Sequence, residues 1–294
     1  MVPGYRITER FNKPYTNRFG LEPHPSTYPD TKTNPSVQPY TRAVPTAPTL
    51  PNHMPRAARY TLAQRSNFIP ITAQLYDTWR ERSLSLLTGE SYTLKREFAL
   101  MLEWLQPQPD QHYLDVGTST GNYARVLADN GAHVTAIDIS RPMLEKAASL
   151  STGHANIGFE QANVETLPYP DSSFDGVVVG ASLNEFHDTN AALREMARVL
   201  KPRGKLFMMY LRESDTGIGR LVQTAFKLSG VRFPNRERLK HTFLELNLEL
   251  TRAEVRRAVA MELYTHNPER PATPSEPLPR LARAAGKPAR DPIR

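Results

Sequence analysis

The residues best able to do chemistry stand close together in the middle of the chain. Leu114-Asp115-Val116-Gly117-Thr118-Ser119-Thr120-Gly121 follows a short apolar run and opens an amphipathic one. Gly117 can turn the chain tightly, and Gly121 lets a ligand approach the backbone near a helix N-terminus. Seventeen residues past Gly121, closing the next apolar run, is Asp138, where a carboxylate can accept both hydroxyls of a ribose. A dinucleotide fingerprint would need glycine where Ser119 and Asn122 stand, so it fails at two of three glycines. Asp115, two residues before the first glycine, suits no pyrophosphate. It favours a cation such as an amino-acid ammonium or a sulfonium, which points to S-adenosylmethionine.

These residues need elements to hold them, and the apolar pattern supplies a set. Short runs at His112–Val116, His133–Ile139, Ile157–Gln161, Phe174–Ala181 and Lys205–Leu211 read as strands. Helices are expected between them at Asn122–Asn130, Pro142–Leu150 and Asn190–Leu200. Nearly continuous apolar strands alternating with helices predict a doubly wound, Rossmann-like α/β domain, with ligands at the carboxyl ends of its strands. A helical segment near Ile218–Leu228, an Asn235-capped helix to Leu246, and β-like runs at Leu248–Val255 and Val259–Thr265 follow. The last two make a mostly parallel seven-stranded sheet ending in an antiparallel pair. Helices are also expected between residues 60 and 106, with Tyr76, Trp79, Leu84, Leu86 and Leu87 on one apolar stripe and Phe98 to Leu105 on another.

In this order and spacing the motifs resemble the class I S-adenosylmethionine-dependent methyltransferases, in particular the type-11 group that includes ubiquinone/menaquinone C-methyltransferases. Leu114–Gly121 is similar to that family's glycine loop, with Ser119 in place of its middle glycine. Ser140-Arg141-Pro142-Met143-Leu144 resembles the segment whose Met packs on adenine, and Gln161 to Pro168 the segment that reads the adenine edge, with Asn163 for the commoner Asp. The resemblance assigns Asp115, Gly117, Thr118, Ser119, Gly121, Asp138, Ile139, Met143, Asn163, Val164 and Ala181 to S-adenosylmethionine. It implies methyl transfer by in-line displacement, in which the protein positions the acceptor and excludes water. A base is needed only where the acceptor arrives protonated. Glu185 and His187, in Ser182-Leu183-Asn184-Glu185-Phe186-His187-Asp188, are the candidates, although the family often has a His-His pair where Asn184 and Glu185 stand. Tyr76 resembles a tyrosine placed over the cofactor, and Arg80 and Arg82 can meet an anionic substrate. Each has a plainer rival: core for Met143, a turn for Asn163, loop hydrogen bonding for His187, packing for Tyr76.

Composition trims the alternatives. With no cysteine there is no disulfide, no thiolate metal site and no thiol catalysis. No acid cluster beyond His187-Asp188 suggests a metal, so none is expected. The net charge of +7 and the 26 prolines lie mostly at the ends. Residues 1–70 carry 12 prolines and a net charge of +6, residues 268–294 carry 7 prolines, and residues 71–264 are net −2. The expected organisation is a proline-rich basic arm over 1–58, capping helices over 59–110, the methyltransferase core over 111–267 and a Pro/Arg-rich tail over 268–294. The expected acceptor is a small lipophilic, phenolic or quinone-like metabolite, in a cytoplasmic setting. The competing class is a macromolecular partner, whether RNA, a protein or a membrane complex, met by the arm. Nucleic acid is disfavoured, because the arm's basic residues are scattered and lack the clusters that phosphate contacts need.

Overall fold

The computed structural model describes residues 61–69, 80, 82–85 and 91–269. The expectations for the arm, for Tyr76 and for the tail beyond residue 269 fall outside them. Seven strands form one sheet: β1 (His112–Val116), β2 (His133–Asp138), β3 (Ile157–Gln161), β4 (Phe174–Gly180), β5 (Leu200–Leu211), β6 (Leu248–Arg256) and β7 (Val259–His266). Their spatial order is β3-β2-β1-β4-β5-β7-β6. All pairings from β3 through β5 are parallel, and β7 runs antiparallel to both β5 and β6. This is the Rossmann-like sheet that the alternating pattern predicts. Its order reverses between β1 and β4, the place where such sheets open a crevice for ligands.

The helices are α1 (Leu62–Ser66), α2 (Leu94–Leu105), α3 (Asn122–Asp129), α4 (Arg141–Leu150), α5 (Thr189–Val199), α6 (Gly217–Lys227) and α7 (Arg236–Glu245). Their starts are written in local chemistry. The side chains of Thr61, Thr93, Ser140, Asp188, Thr216 and Asn235 each accept a backbone N–H of their own first turn. At Thr61 the bond is reciprocated by Gln64, a capping box.

Alternation along the central strands sends neighbours to opposite faces. Val177 and Val179 pack with Leu193 and Met196 of α5 and Phe243 of α7, whereas Val178 packs with Trp104 of α2 and Leu127 of α3. Two apolar layers therefore clamp the sheet, and β1 and β4 are buried on both sides. The last parallel strand is longer than the apolar run Lys205–Leu211, because the chain enters β5 at Leu200. Between the pairs Phe174–Leu200 and Gly176–Lys205 the register slips, so Lys201 to Gly204 form a bulge. Arg203 takes a left-handed φ of 64° there.

Candidate active site

The loop after β1 builds the first wall. Gly117 has φ +63°, and a β-carbon on it would lie 2.4 Å from that of Ser182. No side chain fits that turn. Ser119 also sits in the left-handed region, at φ 52°, so the serine keeps the backbone that glycine would adopt more readily. The benefit is a fixed amide: Ser119 N–H donates to Asp138 Oδ2 at 2.9 Å, tying the loop to the end of β2. Ser140 N–H donates to the other oxygen at 2.8 Å. Each carboxylate oxygen retains a lone pair for a further donor. Burial pushes the Asp138 carboxyl up to about 6, against the pull of those amides.

Asp138 opens on a solvent-connected cleft at the carboxyl ends of β1 and β2, where sheets of this kind take their ligands. Gly117, Ser119, Ile139, Met143, Asn163 and Val164 line it together with Asp138. Met143 is buried at the start of α4, and its sulfur accepts the Ser119 hydroxyl at 3.6 Å. Asn163 Oδ1 accepts Glu165 N–H at 3.0 Å, so this side chain both shapes the turn and faces the cleft.

A smaller cleft shares Gly117 and Ser119 with the first and is lined by Asp115, Thr118 and Arg80. Asp115 Oδ2 accepts the Thr118 hydroxyl at 2.6 Å and Ala124 N–H at 3.0 Å, and burial raises its carboxyl to about 7. Arg80 is not presented to a bulk anion; it is buried and donates to Glu97 at 2.6 Å. Tyr92 and Tyr123 donate their hydroxyls to the same carboxylate. Acid and guanidinium on one small cleft can receive the two ends of an amino-acid zwitterion.

Gly121 and Ala181 are on neither cleft wall. Gly121, at φ +79°, packs toward α4, where an added β-carbon would stand 3.1 Å from that of Ala147. Its place is helix packing. Ala181 has φ 71° and donates its N–H to Met209 O, turning the chain out of β4.

The opposite wall comes from the 3₁₀ turn Ser182–Glu185 and from α1. Glu185 faces the cleft, half-buried, and burial followed by the nearby Asp138 charge pushes its carboxyl up to about 7. Asn67 Nδ2 donates to Glu185 Oε2 at 2.8 Å, and Gln64 Nε2 to the Glu185 carbonyl at 2.8 Å. Ser140 Oγ donates to Asn67 O at 2.5 Å, closing the ring back to α4. Asn184, by contrast, is structural: it is buried and bonds the backbones of Leu211 and Arg232. His187 is exposed and outside the cleft, so the structure does not bring it to Glu185. Arg82 is likewise exposed. Sequence reasoning missed Gln64 and Asn67. The Thr61-x-x-Gln64 box marks a helix start, but nothing local says that this helix reaches a turn more than a hundred residues away.

Residues 114–208 match the methyltransferase domain family of type 11. The ubiquinone/menaquinone biosynthesis C-methyltransferase UbiE of Vibrio parahaemolyticus is 34% identical over 131 residues, 42% of this chain and 49% of that protein. The chain thus spans about half the length of the curated relatives it matches. The crystal structure of YcgJ from Bacillus subtilis superposes with a TM-score of 0.51 at 26% identity, covering 53% of this chain and 70% of that one. The [4+2]-cyclase SpnF shares the fold at a TM-score of 0.53 and 21% identity, over 67% and 96% of the two chains. The fold alone therefore does not name a reaction.

Proposed function

With a methyltransferase domain of the type-11 class over residues 114–208 as premise, we propose that this protein transfers a methyl group from S-adenosylmethionine to a small, lipophilic, phenolic or quinone-like acceptor. The observation that carries the proposal is the pairing on one cleft of Asp138, suited to a ribose diol, with Glu185, a carboxyl poised near neutrality. The site residues suit the cofactor. Asp138 would accept the ribose hydroxyls, Met143, Ile139 and Val164 would flank adenine, and Asn163 would read its edge. Asp115 and Arg80 would meet the ammonium and carboxylate of the amino-acid end. When bound, S-adenosylmethionine supplies a methyl carbon already activated by a positively charged sulfur.

What remains for the chain is proton handling and dryness. Glu185 accepts the proton that the acceptor's O–H or C–H releases, and a carboxyl raised to about 7 is both a stronger base and still largely ionised just above neutrality. Asn67 holds the oxygen that does this. Leu183 and Phe186, both buried, keep the turn anchored. A relative named as a C-methyltransferase of ubiquinone/menaquinone biosynthesis supports a ring carbon of a phenolic or quinone-like acceptor as the methylated atom; the setting proposed for the reaction is cytoplasmic. The test pairs calorimetric titration of S-adenosylhomocysteine with transfer of labelled methyl to a panel of alkylated phenols and quinols. Tight product binding with label in a phenolic ring is the expected result. Binding without transfer to any phenol or quinol overturns the acceptor class, and no binding overturns the site.

A further inference from the structure

Helix α6 buries an amide and exposes apolar side chains. Its amide Gln223 is 4% exposed and plugged into the end of the sheet: Ser214 N–H donates to Gln223 Oε1, and Gln223 Nε2 donates to Arg212 O, each at 2.9 Å. Among its described apolar side chains, three point to solvent instead. Leu221 is 73%, Phe226 49% and Leu228 83% exposed. A helix covering a core shows the reverse arrangement. The neighbouring α1 repeats the pattern. Ala63 N–H donates to Ser229 O at 2.9 Å, which sets Leu62, itself 63% exposed, beside the end of α6 that carries Leu228.

The charge on the helix itself is basic, while the acids Asp215 and Glu237 stand just outside the 216–236 segment and Arg236 is paired with Glu262. From residue 216 to 236 the chain contains Arg220, Lys227, Arg232 and Arg236 and no Asp or Glu; residues 61–69 contain Arg65 and no acid. The surface also borders the cleft. Its α1 portion carries Gln64 and Asn67 on the cleft wall, and Arg232 N–H donates to the carbonyl of Asn184, the residue before Glu185.

We propose that α6 and α1 form a docking surface for an anionic phospholipid bilayer. Leu221, Phe226 and Leu228 enter the acyl boundary, while Arg220, Lys227 and Arg65 meet the phosphates. Outward leucines on an acid-free basic helix are what an anionic interface selects. A second copy of the chain fits worse, because a two-fold contact would set these cations against themselves. The inference goes beyond the methyl-transfer reading and is tested without cofactor or acceptor.

The experiment is flotation of the full chain with vesicles of phosphatidylcholine alone or mixed with phosphatidylglycerol, at low and near-physiological salt. The expected result is binding to the mixed vesicles roughly tenfold or more tighter than to phosphatidylcholine, weakening with salt. The combined variant L221S/F226S/L228S should lose it while keeping the wild-type far-ultraviolet circular dichroism and a cooperative thermal transition, which certify its fold. R220Q/K227Q, which leaves the apolar side chains in place, should bind more weakly and with a shallower salt dependence. Wild-type failure to bind overturns the proposal. So does retained binding in both variants, which would move lipid contact to the basic arm. A dimer or a protein complex that the leucine variant abolishes, with no vesicle binding, overturns it in favour of a protein partner.

Discussion

The two walls of the cleft are made in different ways. The wall carrying Asp138 is assembled by backbone: the Ser119 and Ser140 amides point at one carboxylate from loops a few residues from strand ends. The wall carrying Glu185 is assembled by side chains reaching between distant segments, Asn67 to Glu185 across 118 residues and Gln64 across 121. Backbone donors are present in every sequence that folds this way, so the first wall is common to the fold. Side-chain donors must be chosen residue by residue, so the second is where chains of this fold are free to differ. That division fits a shared cofactor and an individual acceptor.

Substitutions on each wall should therefore fail differently. Asp138→Ala removes a charged acceptor whose hydrogen bonds are worth roughly 1.5–3 kcal/mol each. S-adenosylhomocysteine affinity should drop by about two decades or more, read by calorimetry, with the fold intact. A change below threefold would remove Asp138 from the cofactor wall. Glu185→Gln should do the opposite. Product binding stays near wild type while kcat falls roughly 10²–10⁴-fold, the usual worth of a general base. The pH dependence has a definite sign. The carboxyl lies near 7 and its ionised form is the base, so kcat/KM should climb as pH rises through about 7 and then level. The glutamine variant should lose that limb. A limb retained in Glu185→Gln would assign it to another group.

Asn67→Ala sharpens the contrast, because Asn67 is a positioning residue. Its amide donates to Glu185 Oε2 and favours the anion. Without it the carboxyl climbs further, so the rising limb moves to higher pH. The rate at neutral pH should fall, by roughly fivefold if the carboxyl climbs to about 8, and recover at the alkaline plateau. Asn67→Asp, with its own negative charge, should not rescue. A uniform loss at all pH values would show a structural role only.

The same contrast explains what could be read from the sequence. Strands, helices and the Asp115–Gly121 loop were legible because their signals are local: apolar runs of strand length, capping side chains, glycine before a helix. Asp138 was legible through its place at a strand end. The bulge at Lys201–Gly204 is not legible, since a proline, a left-handed arginine and a glycine suit a turn as well as a bulge. Gly121 is expected to make room for a ligand, and the side chain it lacks would face Ala147 and Arg125. His187 looked as able as Glu185 to move a proton. Only the 3₁₀ turn, which aims one at the cleft and the other at solvent, separates them. Gln64 and Asn67 were invisible, because a tertiary hydrogen bond leaves no periodicity behind.

The smallest expected effect tests the backbone wall at its one irregular residue. Ser119→Gly relieves a left-handed serine, worth about 1 kcal/mol, but a glycine also has more freedom to lose on folding, by roughly 0.4–1 kcal/mol. The 3.6 Å hydroxyl contact to Met143 sulfur goes as well. These terms nearly cancel, so the melting temperature should move by no more than a few degrees. The amide that holds Asp138 is untouched, so S-adenosylhomocysteine affinity should stay within about threefold. Ser119→Val retains an amide too but cannot adopt φ 52° without strain. It should lower both stability and affinity. If valine were tolerated as well as glycine, the loop would not need its left-handed turn, and the wall would not be held by its backbone.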